Sequence, residues 1–221
     1  MNISELGKIN IFMNMSDEDI SDVLTALNYR VKTYSKDETV FFEGDRANSL
    51  GIVLSGSVRI EKIDHQGGCN IISMVSKGNT FAETYAIFPN VPLMIDVVAA
   101  EPCEVLFLSM SGLQNADISC RSWYPTLLLN MLKISSQKNI HLSMRTFHTS
   151  SKYSRDRIES YLSYQSMLHG SDEFDINLNR QQLADYLNLD RSALSGELSR
   201  MRKEGLLEFR KNHFKLLRKS T

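Results

Sequence analysis

The 221-residue chain is short of cysteine, proline and tryptophan, with three Cys, four Pro and one Trp. Cys69, Cys103 and Cys120 stand far apart, and no pair has C-x-x-C spacing. That excludes a disulfide scaffold and supports neither a zinc site nor an iron–sulfur cage. Free thiols fit a reducing cytoplasm, the expected compartment. No run of eighteen apolar residues occurs, so no membrane-spanning helix and no membrane partner are expected. Met1-Asn2-Ile3-Ser4-Glu5 lacks the basic start and apolar core of a secretory signal. Histidine is missing where a metal-holding barrel needs it: residues 30–109 contain only His65. A two- or three-histidine site of the cupin type cannot be assembled from that. Nor does any Ser/His/Asp or Cys/His arrangement carry a catalytic motif. The expectation is no enzyme, no catalytic residue, no metal and no cofactor, with a cupin-like metal enzyme as the lesser alternative.

A large net charge of either sign is lacking too, with 25 basic against 26 acidic residues, a formal charge of −1. The balance hides an asymmetry. Residues 1–150 hold 12 basic and 16 acidic side chains, whereas residues 191–221 hold nine basic and three acidic. A positive field concentrated at one end is the footprint of a polyanion partner; its plain alternative is a solvated basic tail. The remaining composition, 42% hydrophobic and 23% charged, is that of a globular chain.

Ser16 followed by Asp19, with Ile20, Val23, Leu24 and Leu27 at helical spacing, predicts a short amphipathic helix with a capping box. Between residues 30 and 109 the rhythm becomes β-like. Short runs (31–34, 40–42, 50–54, 58–63, 70–75, 95–100, 105–108) are separated by turn residues such as Lys36-Asp37, Ser55-Gly56, Gln66-Gly67-Gly68 and Lys77-Gly78. Many short strands at regular turn spacing indicate a sandwich or small barrel. From 111 to 148 the pattern predicts a long helix. Leu128, Leu132, Ser135, Asn139 and Leu142 form a 4-3-4-3 seam beside a second stripe, Leu127, Met131, Ile134 and His141. The seam reads as a dimer interface or as packing on the chain's own barrel. Thr149-Ser150-Ser151 reads as a hinge, and a further helix ends near Gly170, which suits a left-handed C-cap.

Residues 177–217 carry the most information. Asn179 with Gln182 three residues on forms a capping box, and Leu183, Ala184 and Leu187 share one face. Asn188 stands where the chain must turn sharply. Asp190 caps a second helix with Leu194, Leu198 and Met201 at i, i+4, i+7. Two short helices about a tight turn form a helix-turn-helix. The second exposes Arg191, Ser192, Ser195, Ser199 and Arg202, donors suited to base edges and phosphates in a major groove. Glu208-Phe209-Arg210 and His213-Phe214-Lys215-Leu216 around Lys211-Asn212 predict a basic hairpin, or wing.

These residues resemble the Crp/Fnr family of bacterial transcription factors over nearly the whole chain. Val40-Phe41-Phe42-Glu43-Gly44-Asp45 and Ile52-Val53-Leu54-Ser55-Gly56-Ser57-Val58 look like its barrel hairpins. Phe81-Ala82-Glu83 is similar to the Phe-Gly-Glu opening of its phosphate-binding cassette, with Ala replacing Gly. Asn179–Ala184 and Arg191–Ser195 resemble its winged helix-turn-helix. The resemblance implies an α+β fold: a cyclic-nucleotide-binding-like β-barrel (double-stranded β-helix), a long dimerisation helix and a C-terminal winged helix-turn-helix. The parts are residues 1–110 as sensing barrel, 111–149 as dimerisation helix and hinge, and 150–221 as DNA-binding domain. It implies a homodimer on a palindromic duplex operator, with RNA polymerase as a further partner. Arg191, Ser192 and Ser195 would read bases; Asn179, Gln181, Ser199 and Lys211 would hold phosphates.

Three departures modify that reading. Cyclic-nucleotide binders follow the cassette Glu, some ten residues later, with Arg-Ser, whereas no Arg or Lys lies between Glu83 and Ala100 here. A cyclic phosphate against Leu93 and Met94 would keep its charge uncompensated, so a cyclic-nucleotide-responsive protein is the alternative, not the expectation. Any effector is unknown; its expected pocket is Phe81, Glu83, Thr84, Met94, Lys138 and Asn139, with packed core or an empty cavity as the simpler reading. Second, the cysteine cluster of the family's iron–sulfur members is absent, and His65 alone makes haem improbable. Third, where the cyclic-AMP receptor protein reads its half-site with Arg, Glu and Arg, this chain has Arg191, Ser192 and Gly196. An operator of different sequence follows.

Overall fold

The computed structural model describes residues 2–63 and 69–217, Asn70 without its side chain. The expected Gln66–Gly68 turn, His65 and the basic residues Arg218 and Lys219 lie outside the described residues. The chain divides into two compact units, one running to Ser135 and the other starting at Ser136.

The first unit opens with α1 (Ile3–Leu6), a 3₁₀ turn at Asn10–Phe12 and α2 (Asp17–Ala26). Ser16 and Asp19 close the expected capping box on α2. Eight strands follow: β1 (Arg30–Tyr34), β2 (Thr39–Phe41), β3 (Ser49–Ser55), β4 (Ser57–Ile63), β5 (Cys69–Ser76), β6 (Thr80–Phe81), β7 (Asp96–Ala99) and β8 (Cys103–Ser109), with α3 (Glu83–Ile87) between β6 and β7. They form two antiparallel four-stranded sheets, ordered β1-β8-β3-β6 and β2-β7-β4-β5. The two-residue β6 and five-residue α3 escape a periodicity reading because neither is long enough to show a period.

β3 and β8 are buried on both faces. Leu50, Ile52, Leu106 and Leu108 pack on the helices, while Val53, Val105 and Phe107 point into the space between the sheets. That two-sided burial explains their continuous apolar sequence, where one-sided strands alternate. Between the sheets, Phe81 meets Phe41 at 6.2 Å and Phe107 at 6.4 Å, both edge to face. Phe81 lies against Gly51, where a Cβ would come within 2.2 Å of the ring. Glycine at 51 is thus the space that Phe81 fills.

The long helix starts later than its pattern suggests. After α4 (Ala116–Ser119), α5 spans Tyr124–Thr149, thirteen residues short of the expected start at 111. Pro125 explains this, since proline is tolerated only in a helix's first turn. Trp123, buried, anchors that start by donating Nε1–H to Asp22 at 2.7 Å. Of the two stripes on α5, Leu127, Met131 and Ile134 pack into the first unit's core, and the Asn130 amide donates to the carbonyls of Ile11 and Met13. The other stripe stays uncovered in the single chain: Leu128, Leu132 and Leu142 are 38%, 62% and 64% exposed.

The second unit contains the end of α5, then α6 (Ser154–His169), β9 (Glu173–Asp175), α7 (Arg180–Leu187), α8 (Arg191–Lys203), β10 (Leu207–Arg210) and β11 (His213–Leu216). Its sheet order is β10-β11-β9. Gly170 takes the left-handed C-cap after α6. The expected hinge at 149–151 is tied down locally. Arg157 Nε donates to the Ser151 carbonyl at 2.6 Å, and Ser151 Oγ donates to Asp156 at 2.7 Å.

Candidate nucleic-acid interface

The capping box on α7 is formed as read. Gln182 N donates to Asn179 Oδ1 at 2.9 Å, and Asn179 N donates to Gln182 Oε1 at 2.8 Å. Asn188 ends the helix at φ 53°, ψ 53°. Leu183, Ala184 and Leu187 pack against Leu194, Leu198 and Met201, all buried, and Ala184 supplies the close approach. One detail differs: Asp190 occupies the N-cap of α8 in extended conformation, but its side chain makes no capping bond. The first turn of α8 therefore keeps unsatisfied N–H groups directed out of the helix.

The opposite face of α8 is open. Arg191, Ser192, Gly196, Arg202 and Lys203 are exposed, Ser195 and Ser199 half-buried. Among the described residues, Arg191 and Ser192 side chains have no hydrogen-bond or ion-pair partner. Ser199 Oγ donates to the Ser195 carbonyl at 2.8 Å, and Gln181 Nε2 donates to Asp185 at 2.8 Å. Lys211 stands exposed at the tip of the wing with φ 56°. The residues expected at bases and those expected at phosphates therefore sit on α7, α8 and the wing of one unit.

Several residues that hold this surface were not legible as such. Arg180, at the first position of α7, lies over Phe209 at 5.1 Å and Phe214 at 5.8 Å and donates to the Lys211 carbonyl at 3.2 Å. It joins α7 to the wing. Burial, and then the charge of Arg191, push its pKa down. Arg145 of α5 donates to the carbonyls of Asp185 and Tyr186, and Arg157 of α6 to those of Leu187 and Asn188. Two guanidiniums thus satisfy the carbonyl end of α7, the pole that favours cations. Glu197 is buried on α8 and compensated by Arg155 at 2.9 Å and Arg200 at 2.7 Å. The signal for Arg180 was the pair of aromatic positions in the wing; Arg145 and Arg157 had none, because their partners are backbone oxygens.

Within the first unit, the expected effector residues Phe81, Glu83, Thr84 and Met94 have different surroundings. Phe81 fills the space between the sheets, Thr84 is exposed and Met94 is 67% exposed. Leu93, its neighbour, is the buried one. Glu83 lines a crevice with Ile11, Leu50, Thr80, Met131, Ile134 and Ser135, and accepts from Thr80 Oγ1 at 2.8 Å. The crevice interior, about 10 Å³, has room for one water. Lys138 and Asn139 lie further along α5, exposed. Among the described residues, no group of three His, Cys, Asp or Glu is placed to hold a metal, and no helix is long and apolar enough to cross a membrane.

Comparison with known proteins agrees with this anatomy. The cyclic nucleotide-binding domain family matches residues 31–116, and the Crp-like helix-turn-helix domain family matches residues 156–220. The chain belongs to the Crp/Fnr family. Electron transport regulator A of Shewanella oneidensis is 25% identical over 198 residues, covering 85% of this chain and 74% of the relative. The Thermus thermophilus catabolite activator protein is similar in structure, with TM-score 0.53 at 19% identity over 94% of this chain and 93% of its own. CprK complexed with OCPA gives TM-score 0.65 at 13% identity over 91% and 92% of the two chains. This Crp/Fnr chain is a DNA-binding transcriptional regulator.

Two strained or unsatisfied sites in this Crp/Fnr chain yield predictions. Ala82, where the cassette has Gly, adopts φ 59°, ψ 14° at the N-cap of α3. An L-residue with a Cβ is disfavoured there by about 1 kcal/mol. Ala82→Gly is expected to stabilise the protein by up to that amount, read as a rise in the urea midpoint at unchanged slope.

The second site is His148, near the end of α5. It is buried, its Nδ1 lies 2.9 Å from Ser160 Oγ, and its Nε2 has no hydrogen-bond partner. Rings of Phe147, Tyr161, Tyr164 and Tyr186 surround it at 5.3–6.1 Å. None of these contacts is a carboxylate, and burial pushes its pKa down. A folded pKa below the unfolded value of about 6.5 gives stability that is complete above that value and is lost as pH falls through the folded pKa. Thermal midpoints are expected to drop between pH 6.5 and 5, and this slope to flatten in His148→Gln.

Proposed function

We propose that this regulator works as a homodimer that reads a palindromic operator through α8. Residues 1–110 serve as the sensing barrel, 111–149 as the segment that carries the dimerisation helix α5 and the hinge, and 150–221 as the DNA head. The open face of α8, on which the Arg191 and Ser192 side chains have no partner among the described residues, carries the reading. Arg191 leads it, free to donate its fork to a guanine O6 and N7, with Ser192 and Ser195 as lesser readers. Asn179, Gln181, Ser199 and Lys211 contact phosphates and set the register. The uncovered stripe Leu128, Leu132 and Leu142 supplies the dimer seam, and two heads about 34 Å apart match successive major grooves.

The absence of any cation between Glu83 and Ala100, with Phe81 already seated between the sheets, favours control by something other than a cyclic nucleotide. Solved relatives of this fold answer to different molecules: CprK was solved with OCPA, and CLP of Xanthomonas campestris is described as c-di-GMP responsive (TM-score 0.57, 21% identity, 92% and 100% coverage). An effector would act at the cassette of the first unit, around Glu83 and Thr84. The protein works in the cytoplasm, with RNA polymerase as its partner at the promoter. Selection of duplexes from a randomised pool tests the core of this reading. An inverted repeat with one helical turn between half-site centres is expected; enrichment of no sequence at moderate salt would refute it.

A further inference from the structure

The outermost ridge of α8 runs through positions 192, 196, 199 and 203, directly opposite the buried Leu194, Leu198 and Met201. Its middle position is Gly196. Glycine is the poorest helix former after proline, so a mid-helix glycine needs a reason. Packing supplies none: Gly196 has no positive φ, and a Cβ there would meet no atom within 4 Å. The helix has space for alanine and carries glycine on the face aimed at DNA. At Gly51, by contrast, the reason is internal, because a Cβ there would strike Phe81.

We propose that Gly196 is a specificity-determining position that seats the C5-methyl group of a thymine against the bare backbone of α8. The thymine methyl is the one apolar projection on the major-groove floor, and it is recognised by apolar contact, not by hydrogen bonding. Ser192 and Ser199, one turn to either side, are short enough to let the helix sink to that depth. Arg191, at the start of the helix, fixes the register from which this contact is reached. The inference rests on α8 being the DNA-reading helix and adds to it a position that reads by shape.

A bump-and-hole measurement tests it. Full-length wild type first selects a duplex from a randomised pool; Gly196→Ala is then titrated against that duplex and against versions with deoxyuridine replacing each thymine pair in turn. Gly196→Ala is expected to melt no lower than wild type, and about 2–4 °C higher from helix propensity. Its affinity for the selected duplex should fall about tenfold, the scale of one mismatched pair. At one symmetric pair of positions, uracil should weaken wild type and restore the variant. Equal binding of the selected duplex by both proteins overturns the proposal, as does a loss that no uracil substitution relieves. A lowered melting temperature would show that the glycine serves the fold, and overturns it as well. If wild type selects no sequence, it is the DNA-reading assignment itself that fails, and the two failures are told apart.

Discussion

Arg191→Ala is expected to weaken binding to the selected operator by about 1–3 kcal/mol per half-site. The two heads of a dimer are far enough apart for their losses to add, giving roughly 2–6 kcal/mol on a symmetric site. The physical reason is that a bidentate guanidinium–guanine pair is replaced by a methyl group, leaving guanine O6 and N7 desolvated without donors. On random duplex the same variant should lose little, because non-specific affinity comes from phosphate neutralisation. Lys211→Ala provides the contrast. It should weaken all sequences about equally and reduce the salt slope by about 1 per head. Fluorescence anisotropy over a salt series separates the two patterns. An Arg191→Ala loss that is equal on random DNA would remove its base-reading role.

The second large effect concerns the seam on α5. Leu132→Asp puts a carboxylate in the middle of the exposed stripe between Leu128 and Leu142. In a monomer that residue faces water and the substitution is mild, since Leu132 is 62% exposed in the single chain. In a dimer it places an unpaired charge on each side of an apolar seam, at several kcal/mol. Sedimentation should show the wild type as a dimer and the variant as a folded monomer with unchanged circular dichroism. Operator affinity should then fall about 10³-fold or more, toward the non-specific level, because one head alone reads half the site. A variant that stays dimeric would move the interface off this stripe.

Local signals were the legible ones. Capping boxes at Ser16–Asp19 and Asn179–Gln182 and the left-handed Asn188 each depend on neighbours within four residues. The helix-turn-helix was readable because its packing residues, Leu183 to Met201, fall inside one short stretch. The start of α5 was misread because apolar spacing continues through 111–123, while Pro125 and the Trp123–Asp22 bond decide where the helix begins. Met94 looked like a pocket residue beside Leu93, yet the chain bends at Met94, leaving it 67% exposed while Leu93 is buried.

The order of residues alone determined the regulator's architecture, its basic reading head and the missing cation of its cassette, because each is a matter of which side chains exist and how they are spaced. Tertiary structure decided the rest. It seated Phe81 against Gly51, stacked Arg180 on the wing, sent Arg145 and Arg157 to the carbonyl end of α7 and enclosed His148 among tyrosines. These contacts join residues from about 12 to more than 40 positions apart, most of them through backbone oxygens or ring faces, groups that every sequence contains and that only a folded chain can bring into register.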